Sequence, residues 1–214
     1  MPTNEEKHRE TYAAAEAAVR AADPTVLAVR SGSVWQPGES CAAEDTGAFV
    51  IPALGAEARL GWPSLAFSSP SPLLQTFAWR LICLHYLVTA TGEKPGADWI
   101  SYREIPDGLF YANTITREVE QPLARLYGTN VEGFLAAGAP LGGIPGDLAD
   151  ASLAFQPLPH VRMLLALWRE DDEFPAKVKV LYDRTGAASL PLQDLRILAD
   201  LLGGALRRAA TGGP

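Results

Sequence analysis

Cysteine and basic residues are scarce in this sequence, and each shortage excludes a class of protein. The 214 residues include two cysteines, Cys41 and Cys83, which are far apart and form no CxxC pair. We therefore expect free thiols in a reducing compartment, because disulfide-rich and zinc-ribbon domains need paired thiols. Eighteen Lys and Arg face 25 Asp and Glu, so the net charge is −7, and no basic run occurs. This balance disfavours nucleic acid and anionic membranes as partners.

The chain also lacks an apolar run that could cross a membrane. Its longest apolar segment, residues 73–90, contains Gln75, Arg80 and His85. A membrane-spanning helix needs about 20 residues with few such groups. The first ten residues carry charges of both signs and lack the apolar core of a signal peptide. We therefore expect a cytoplasmic protein without a membrane partner.

Strand patterns dominate the region before the last helix. Residues 161–168 are apolar except at Arg162, which is typical of a strand buried on both faces. Residues 177–180 alternate Lys and Val, as a half-exposed strand does. An acidic turn and Phe174-Pro175 separate the two segments. The pattern predicts a β-hairpin at 161–182, in the centre of one mostly antiparallel sheet.

Helices are predicted to pack around this sheet. Ser71 and Pro72 suit the N-cap and first position of a helix over residues 72–90. That helix is apolar on most sides, so we expect it to be buried. An N-terminal helix is predicted to run to about Ala22, and a C-terminal helix to open near Ser189. The fold class is therefore α+β.

The segment 31–72 is rich in Gly, Pro and Ser and contains brief apolar pieces. Residues 48–51 and 58–60 look like short strands, so we expect a small meander joined to the central sheet. Whether the segment extends the sheet or forms a lid stays open. With 48% hydrophobic residues, the chain 1–214 is predicted to form a single domain, with 207–214 as a frayed tail.

The hairpin turn carries four consecutive carboxylates, from Glu170 to Glu173. Carboxylate oxygens bind hard cations, but this turn lacks the ligand spacing and central glycine of an EF-hand loop. Adjacent residues also point in opposite directions, so four in a row rarely converge on one ion. A solvated or Lys-paired turn is the favoured interpretation; a divalent metal site and a ligand or partner contact are the alternatives. Asp183, after the second strand, is predicted to cap a turn.

Two histidines and one loop are further candidates. His85 lies mid-helix, where a buried, hydrogen-bonded side chain is favoured over a ligand role. His160 follows two prolines at a strand entrance, where an exposed imidazole could bind a metal. Residues 141–147, LGGIPGD, suggest a phosphate cradle but lack the Lys-Ser/Thr of a P-loop. A structural loop is favoured there, and Asp147 is the residue that could line a pocket.

The segment WISYREIPDG offers the ingredients of a ligand wall. Trp99 and Tyr102 provide stacking surfaces, and Arg103 and Glu104 provide polar groups. The alternative is an ordinary amphipathic strand whose two charged side chains lie in solvent.

Several sequence blocks occur in one order along most of residues 10–206. They are ICLHYLVTATG, WISYREIPDGLFY, the stretch from GGIPGDLADASLAFQ to KVKVLYD, and LPLQDL. In this order they resemble an uncharacterised prokaryotic family, domain of unknown function 3786. Members of that family are often linked to a four-cysteine domain like that of corrinoid iron–sulfur proteins. The resemblance implies an accessory role near corrinoid chemistry, although two cysteines cannot supply such a cluster.

We favour a non-catalytic binding module for a small molecule or planar cofactor, with a tetrapyrrole or corrinoid as one candidate. In this hypothesis His85 or His160 is the axial ligand. Aromatic side chains would form the walls, namely those of Trp99, Tyr102, Trp168 and Tyr182.

Two alternatives come from other functional classes. A metal-assisted or acid–base enzyme would use the 170–173 turn, including Glu173, with Asp147, Arg103 and Glu104. An interaction subunit would bind a partner protein or a second copy through an exposed apolar patch. No GxSxG or HExxH motif is present, so the sequence leaves catalysis undecided.

Overall fold

The computed structural model describes residues 4–210, with side chains described from residue 10 onward. The predicted α+β class is confirmed. The helices are α1 (Asn4–Ala21), α2 (Pro24–Ser31), α3 (Phe77–Thr89), α4 (Leu109–Ile115), α5 (Gln121–Tyr127), α6 (Val131–Gly138), α7 (Arg184–Ala187) and α8 (Leu192–Ala210). The strands are β1 (Val34–Pro37), β2 (Gly47–Ala53), β3 (Ala56–Trp62), β4 (Phe67–Ser68), β5 (Trp99–Ser101), β6 (Ile144–Gly146), β7 (Ala151–Leu158), β8 (Val161–Trp168) and β9 (Lys177–Asp183).

The predicted hairpin at 161–182 is confirmed and lies in a five-stranded antiparallel sheet. Strands β8 and β9 pair with Trp168 opposite Lys177, and the strand order is β5-β9-β8-β7-β6. All residues of β8 are buried except Arg162 and Trp168, because both faces of the central strand are covered. This burial explains the nearly unbroken apolar run.

The expectation of a single sheet was wrong. Residues 48–51 and 58–60 lie in β2 and β3 of a separate four-stranded antiparallel sheet, in the order β1-β2-β3-β4. A two-residue turn closes their hairpin, with φ of 43° at Leu54 and 74° at Gly55. Positive φ at both turn positions matches the twist of a local hairpin. The strands of segment 31–72 therefore pair among themselves and do not extend the first sheet.

Helix α3 begins at Phe77, later than the predicted start at Pro72. Thr76 is its N-cap, and the Thr76 hydroxyl accepts a hydrogen bond from the Trp79 N–H at 3.3 Å. Ser71 starts a turn, because its carbonyl accepts from the amide three residues later. Serine and threonine are both good N-caps, so the local pattern offered two starts.

The C-terminal helix is longer than expected. Residues 207–210, predicted as part of a frayed tail, belong to α8, while 211–214 lie outside the described residues. Arg207 Nη1 donates to the Glu118 carbonyl at 2.7 Å, which fastens the last turn of α8 to the neighbouring helical segment. Arginines in a last turn also interact favourably with the helix dipole.

Helix α3 forms the centre of the apolar core, as predicted. Trp79, Cys83 and Tyr86 are fully buried in it. Cys41 and Cys83 are both free thiols, as expected, and burial raises the pKa of the Cys83 thiol to about 12. No helix within residues 4–210 is long and apolar enough to cross a bilayer.

A buried carboxylate ties the helical layer to β9. Glu120 lies in a π-helical turn, Thr116–Glu120, between α4 and α5, and is 6% exposed. It accepts hydrogen bonds from Lys179 Nζ at 2.8 Å and from the Val180 N–H at 3.1 Å. Strand β5 pairs with β9 only from Leu181 onward, so Glu120 supplies a partner to the backbone where β5 does not reach.

The two sheets meet at a close approach of two glycines. A Cβ atom added to Gly55 would lie 2.9 Å from the Gly142 backbone nitrogen. Next to this contact, the Leu54 N–H donates to the Gln156 carbonyl of β7 at 3.1 Å. The β2–β3 turn therefore packs directly against the backbone around β6 and β7, and a side chain larger than glycine does not fit.

We predict that Gly55→Ala lowers the free energy of unfolding by about 2 kcal/mol more than Gly38→Ala does. Both glycines have positive φ, 74° and 76°, so both substitutions impose the same backbone strain. A Cβ at Gly38 meets nothing within 4 Å, so the difference isolates the sheet–sheet contact. Urea denaturation of both variants provides the measurement; equal losses would show that the two backbones do not touch.

Candidate functional site

A cleft of about 720 Å³ opens where the two sheets meet. One wall is the β2–β3 turn, and the opposite wall is the middle of β7 with the β7–β8 turn. The loop after α3 and the residues before β6 close the ends. Leu54, Phe155 and Ile144 provide apolar lining. The close approach of Gly55 and Gly142 lies within this lining, so the same contact that joins the sheets shapes the cleft.

The polar lining of the cleft is positively charged. Lys94 and Arg162 line it together with the imidazole of His160, and no Asp or Glu of the described residues does. The chain as a whole carries a net charge of −7, so the cleft is a cationic region of an acidic protein. Like-signed groups along a cleft with apolar walls focus the field and attract ligands of opposite charge.

Tyr86 positions His160 in the cleft. Its hydroxyl accepts from the His160 backbone N–H at 2.8 Å and donates to the Ser31 carbonyl at 2.6 Å. Burial raises the pKa of Tyr86 well above its ordinary value, so the hydroxyl keeps the proton that it donates. The imidazole also packs on the backbone at Gly32, where an added Cβ would lie 2.7 Å from His160 Nε2. His160 Nδ1 is buried without a hydrogen-bond partner among the described residues.

Arg162 and Lys94 are held differently. The Arg162 guanidinium carbon lies 5.3 Å from the Trp99 ring centroid, and Nη1 donates to the Gly96 carbonyl at 3.3 Å. These contacts orient the guanidinium while leaving several of its five N–H groups for other acceptors. Lys94 is exposed, and its ammonium has no partner among the described residues. An oriented guanidinium and an unpaired ammonium in one cleft suit an anionic ligand.

The tyrosines predicted as ligand walls lie in the core. Tyr102 is 3% exposed and donates its hydroxyl to the Leu192 carbonyl at 2.9 Å. Tyr182 is fully buried and donates to the Leu195 carbonyl at 3.1 Å. Burial raises the pKa of Tyr102 to about 12 and that of Tyr182 well above its ordinary value. The Tyr182 hydroxyl ties α8 to β9, the Tyr102 hydroxyl ties α8 to the 3-10 helix after β5, and neither residue lines the cleft.

His85 is hydrogen-bonded within the protein, as favoured from the sequence. Its Nδ1 lies 2.6 Å from Asp194 Oδ2, and the His85 side chain is 19% exposed. The pair links α3 to the first turn of α8. Of the two histidines proposed as axial ligands, His160 therefore lines the cleft and His85 joins two helices.

The polar residues of the WISYREIPDG segment do not face the cleft. Strand β5 ends at Ser101, and Arg103 and Glu104 are exposed in the short 3-10 helix that follows. Glu104 accepts from the Ser101 hydroxyl and N–H at 2.7 and 2.8 Å, and these bonds lower its pKa. Asp147 is exposed after β6 and is absent from the cleft lining.

The acidic turn is ordered by its own hydrogen bonds. Asp171 Oδ1 accepts from the N–H groups of Glu173 and Phe174 at 2.9 and 2.7 Å. Residues 168–175 are all exposed. Within the described part of the chain, no three His, Cys, Asp or Glu side chains come together to hold a metal. Asp183 accepts from the Gly186 N–H at 2.9 Å and so caps α7, as predicted.

The structure therefore does not bring the predicted site residues together at one site. His160 lies in the cleft, with Trp99 behind Arg162. Trp168 and Glu173 lie at the opposite end of β8. Sequence patterns indicated neither Lys94 and Arg162 as cleft residues nor Tyr86 as the partner of the His160 N–H. One signal was available for Arg162, because it is the single interruption of an apolar strand.

We predict that Tyr86→Phe destabilises the protein by about 1–3 kcal/mol, because the His160 N–H and the Ser31 carbonyl each lose a buried partner. Tyr111→Phe is the matched control, since Tyr111 is 47% exposed on α4. Urea denaturation gives the stability, and NMR of the His160 imidazole reports its displacement. A Tyr86→Phe variant as stable as Tyr111→Phe, with an unmoved imidazole, would contradict this positioning role.

Comparison with known proteins gives one match. A family described as Domain of unknown function (DUF3786) matches residues 23–204. Neither the curated proteins nor the solved structures contain a match. The matched range contains both sheets and every residue of the cleft. The chain therefore belongs to the DUF3786 family of domains of unknown function.

Proposed function

We propose that this protein is a non-catalytic binding module for an anionic small molecule, which it holds in the cleft between its two sheets. The observation that carries the proposal is the lining of that cleft: Lys94, Arg162 and the imidazole of His160, with no carboxylate from the described residues, in a chain of net charge −7. The volume of about 720 Å³ lies within the range of roughly 300–1,000 Å³ that is usual for small-molecule sites.

Each wall of the cleft would contribute a different interaction. Arg162 is oriented by Trp99 and Gly96 and can donate two parallel N–H bonds to a carboxylate or phosphate. Lys94 would add charge as a flexible ammonium. The apolar lining from Leu54 and Phe155 would cover the uncharged part of the ligand. Apolar area with a few oriented polar groups is the usual composition of a ligand site.

Within this class we propose a tetrapyrrole as the ligand, whose anionic group is a carboxylate side chain or, in a corrinoid, a phosphate. The support is the family resemblance together with one imidazole, that of His160, in a cationic cleft. His160 would be the axial ligand, since it lines the cleft and His85 does not. The free thiols Cys41 and Cys83 are consistent with the reducing cytoplasm as the place of this function.

Visible absorption of the purified protein titrated with ferric haem and with metal-free protoporphyrin tests this proposal. The two probes carry the same two carboxylates, and only haem has iron for an axial ligand. We expect saturable spectral shifts with both. Lys94→Gln with Arg162→Gln should weaken both by about tenfold or more, because each charge-assisted hydrogen bond contributes about 1.5–3 kcal/mol. His160→Ala should change only the haem spectrum.

The matched control is the double variant Arg103→Gln with Arg125→Gln. It removes the same two charges from exposed positions outside the cleft. Binding that falls equally in both double variants, or persists in both, would contradict a site in the cleft. Hydroxocobalamin extends the probes to corrinoids, and citrate and pyrophosphate extend them to smaller anions, whose binding is followed by the shift in melting temperature. The proposed function would be overturned if none of the five probes changed the absorption spectrum or the melting temperature.

A further inference from the structure

A second pocket, of about 520 Å³, lies beside the β8–β9 turn and shares no lining residue with the cleft. Trp168, Phe174 and Pro175 form its apolar part. Phe174 is 66% exposed and Trp168 is 37% exposed. Two large aromatic side chains at one exposed turn form the kind of apolar patch that marks an interaction site.

The turn that carries these aromatics is held in one conformation. The Asp171 N–H donates to the Phe174 carbonyl at 3.0 Å, and the Asp171 carboxylate accepts from the Phe174 N–H. The Arg169 N–H donates to Asp150 Oδ2 at 2.8 Å, which fixes the start of the turn to the residue before β7. The pocket is therefore preorganised, which reduces the entropy lost when a partner binds.

The charge around the pocket is negative overall, although Arg169 and Lys177 line it together with Asp150 and Asp171. Glu170, Asp172 and Glu173 are exposed, and their carboxylates have no partner among the described residues. The Trp168 ring already has a cation of the chain itself, since Lys177 Nζ lies 5.3 Å from its centroid. The three free carboxylates of the turn are therefore the groups left for a guanidinium or an ammonium next to an apolar side chain.

We propose that this pocket is the docking site for a basic peptide segment of a partner protein. An apolar side chain of the segment would enter between Trp168, Phe174 and Pro175. A neighbouring Arg or Lys would lie against the free carboxylates of the turn. A second copy of this chain fits less well, because a two-fold contact would place the same acidic turn against itself.

Fluorescence anisotropy with two labelled nonapeptides, alternating Arg and Leu or alternating Glu and Leu, tests the proposal at physiological salt. We expect binding of the basic peptide only. Phe174→Ser should weaken it about tenfold or more. The triple variant Glu170→Gln, Asp172→Asn and Glu173→Gln should do the same. Sedimentation of the free protein should show one species unaffected by Phe174→Ser.

Matched controls separate this pocket from general attraction to an acidic protein. Phe110→Ser removes a phenylalanine that is 83% exposed on α4, and the triple variant Glu10→Gln, Glu44→Gln and Glu132→Gln removes three exposed carboxylates elsewhere. The controls should leave binding unchanged. The proposal would be overturned if neither peptide bound, or if both bound with equal affinity. It would also be overturned if the control variants weakened peptide binding as much as the pocket variants do. Self-association abolished by Phe174→Ser would also overturn it, since the occupant would then be a second copy.

Discussion

The contact between the two sheets depends on the close approach of backbone at Gly55 and Gly142. The strands of each sheet are hydrogen-bonded to one another and not to strands of the other sheet. Near the cleft the two sheets are therefore joined by packing and by the hydrogen bond from the Leu54 N–H to the Gln156 carbonyl. Because glycine has no side chain, the β2–β3 turn can lie directly against the backbone of the other sheet. The proposed binding cleft is the space beside that contact, so the fold and the site rest on the same two residues.

Strand β8 connects the two proposed sites. Arg162 near its start lines the cationic cleft, and Trp168 at its end lines the pocket beside the acidic turn. Six residue steps along the strand separate them by about 20 Å, at roughly 3.3 Å per residue. The remainder of β8 is buried. An apolar strand thus presents one side chain of a proposed site at each end, and the net charges around these ends are opposite in sign.

The hairpin was predictable because its strands differ in burial, and burial leaves a direct pattern in the residues. The start of α3 was harder to predict, because Ser71 and Thr76 are equally good caps and the tertiary structure selects between them. In segment 31–72 the strands could be predicted but their pairing could not. The residue pattern of a strand indicates its burial and does not indicate which strand pairs with it. Tyr102 and Tyr182 have the residue types of a ligand wall, yet buried hydrogen bonds to α8 place them in the core.

The sequence alone determined the fold class, the central hairpin, the free thiols and the acidic character, because periodicity, composition and charge are local properties. The tertiary structure alone decided that there are two sheets, that Tyr86 holds His160, and that Lys94 and Arg162 share a cleft. Those features join residues far apart in the chain, and Lys94 and Arg162 are brought together only by packing of the loop after α3 against β8. Convergence of distant side chains depends on that packing, and no local pattern encodes it.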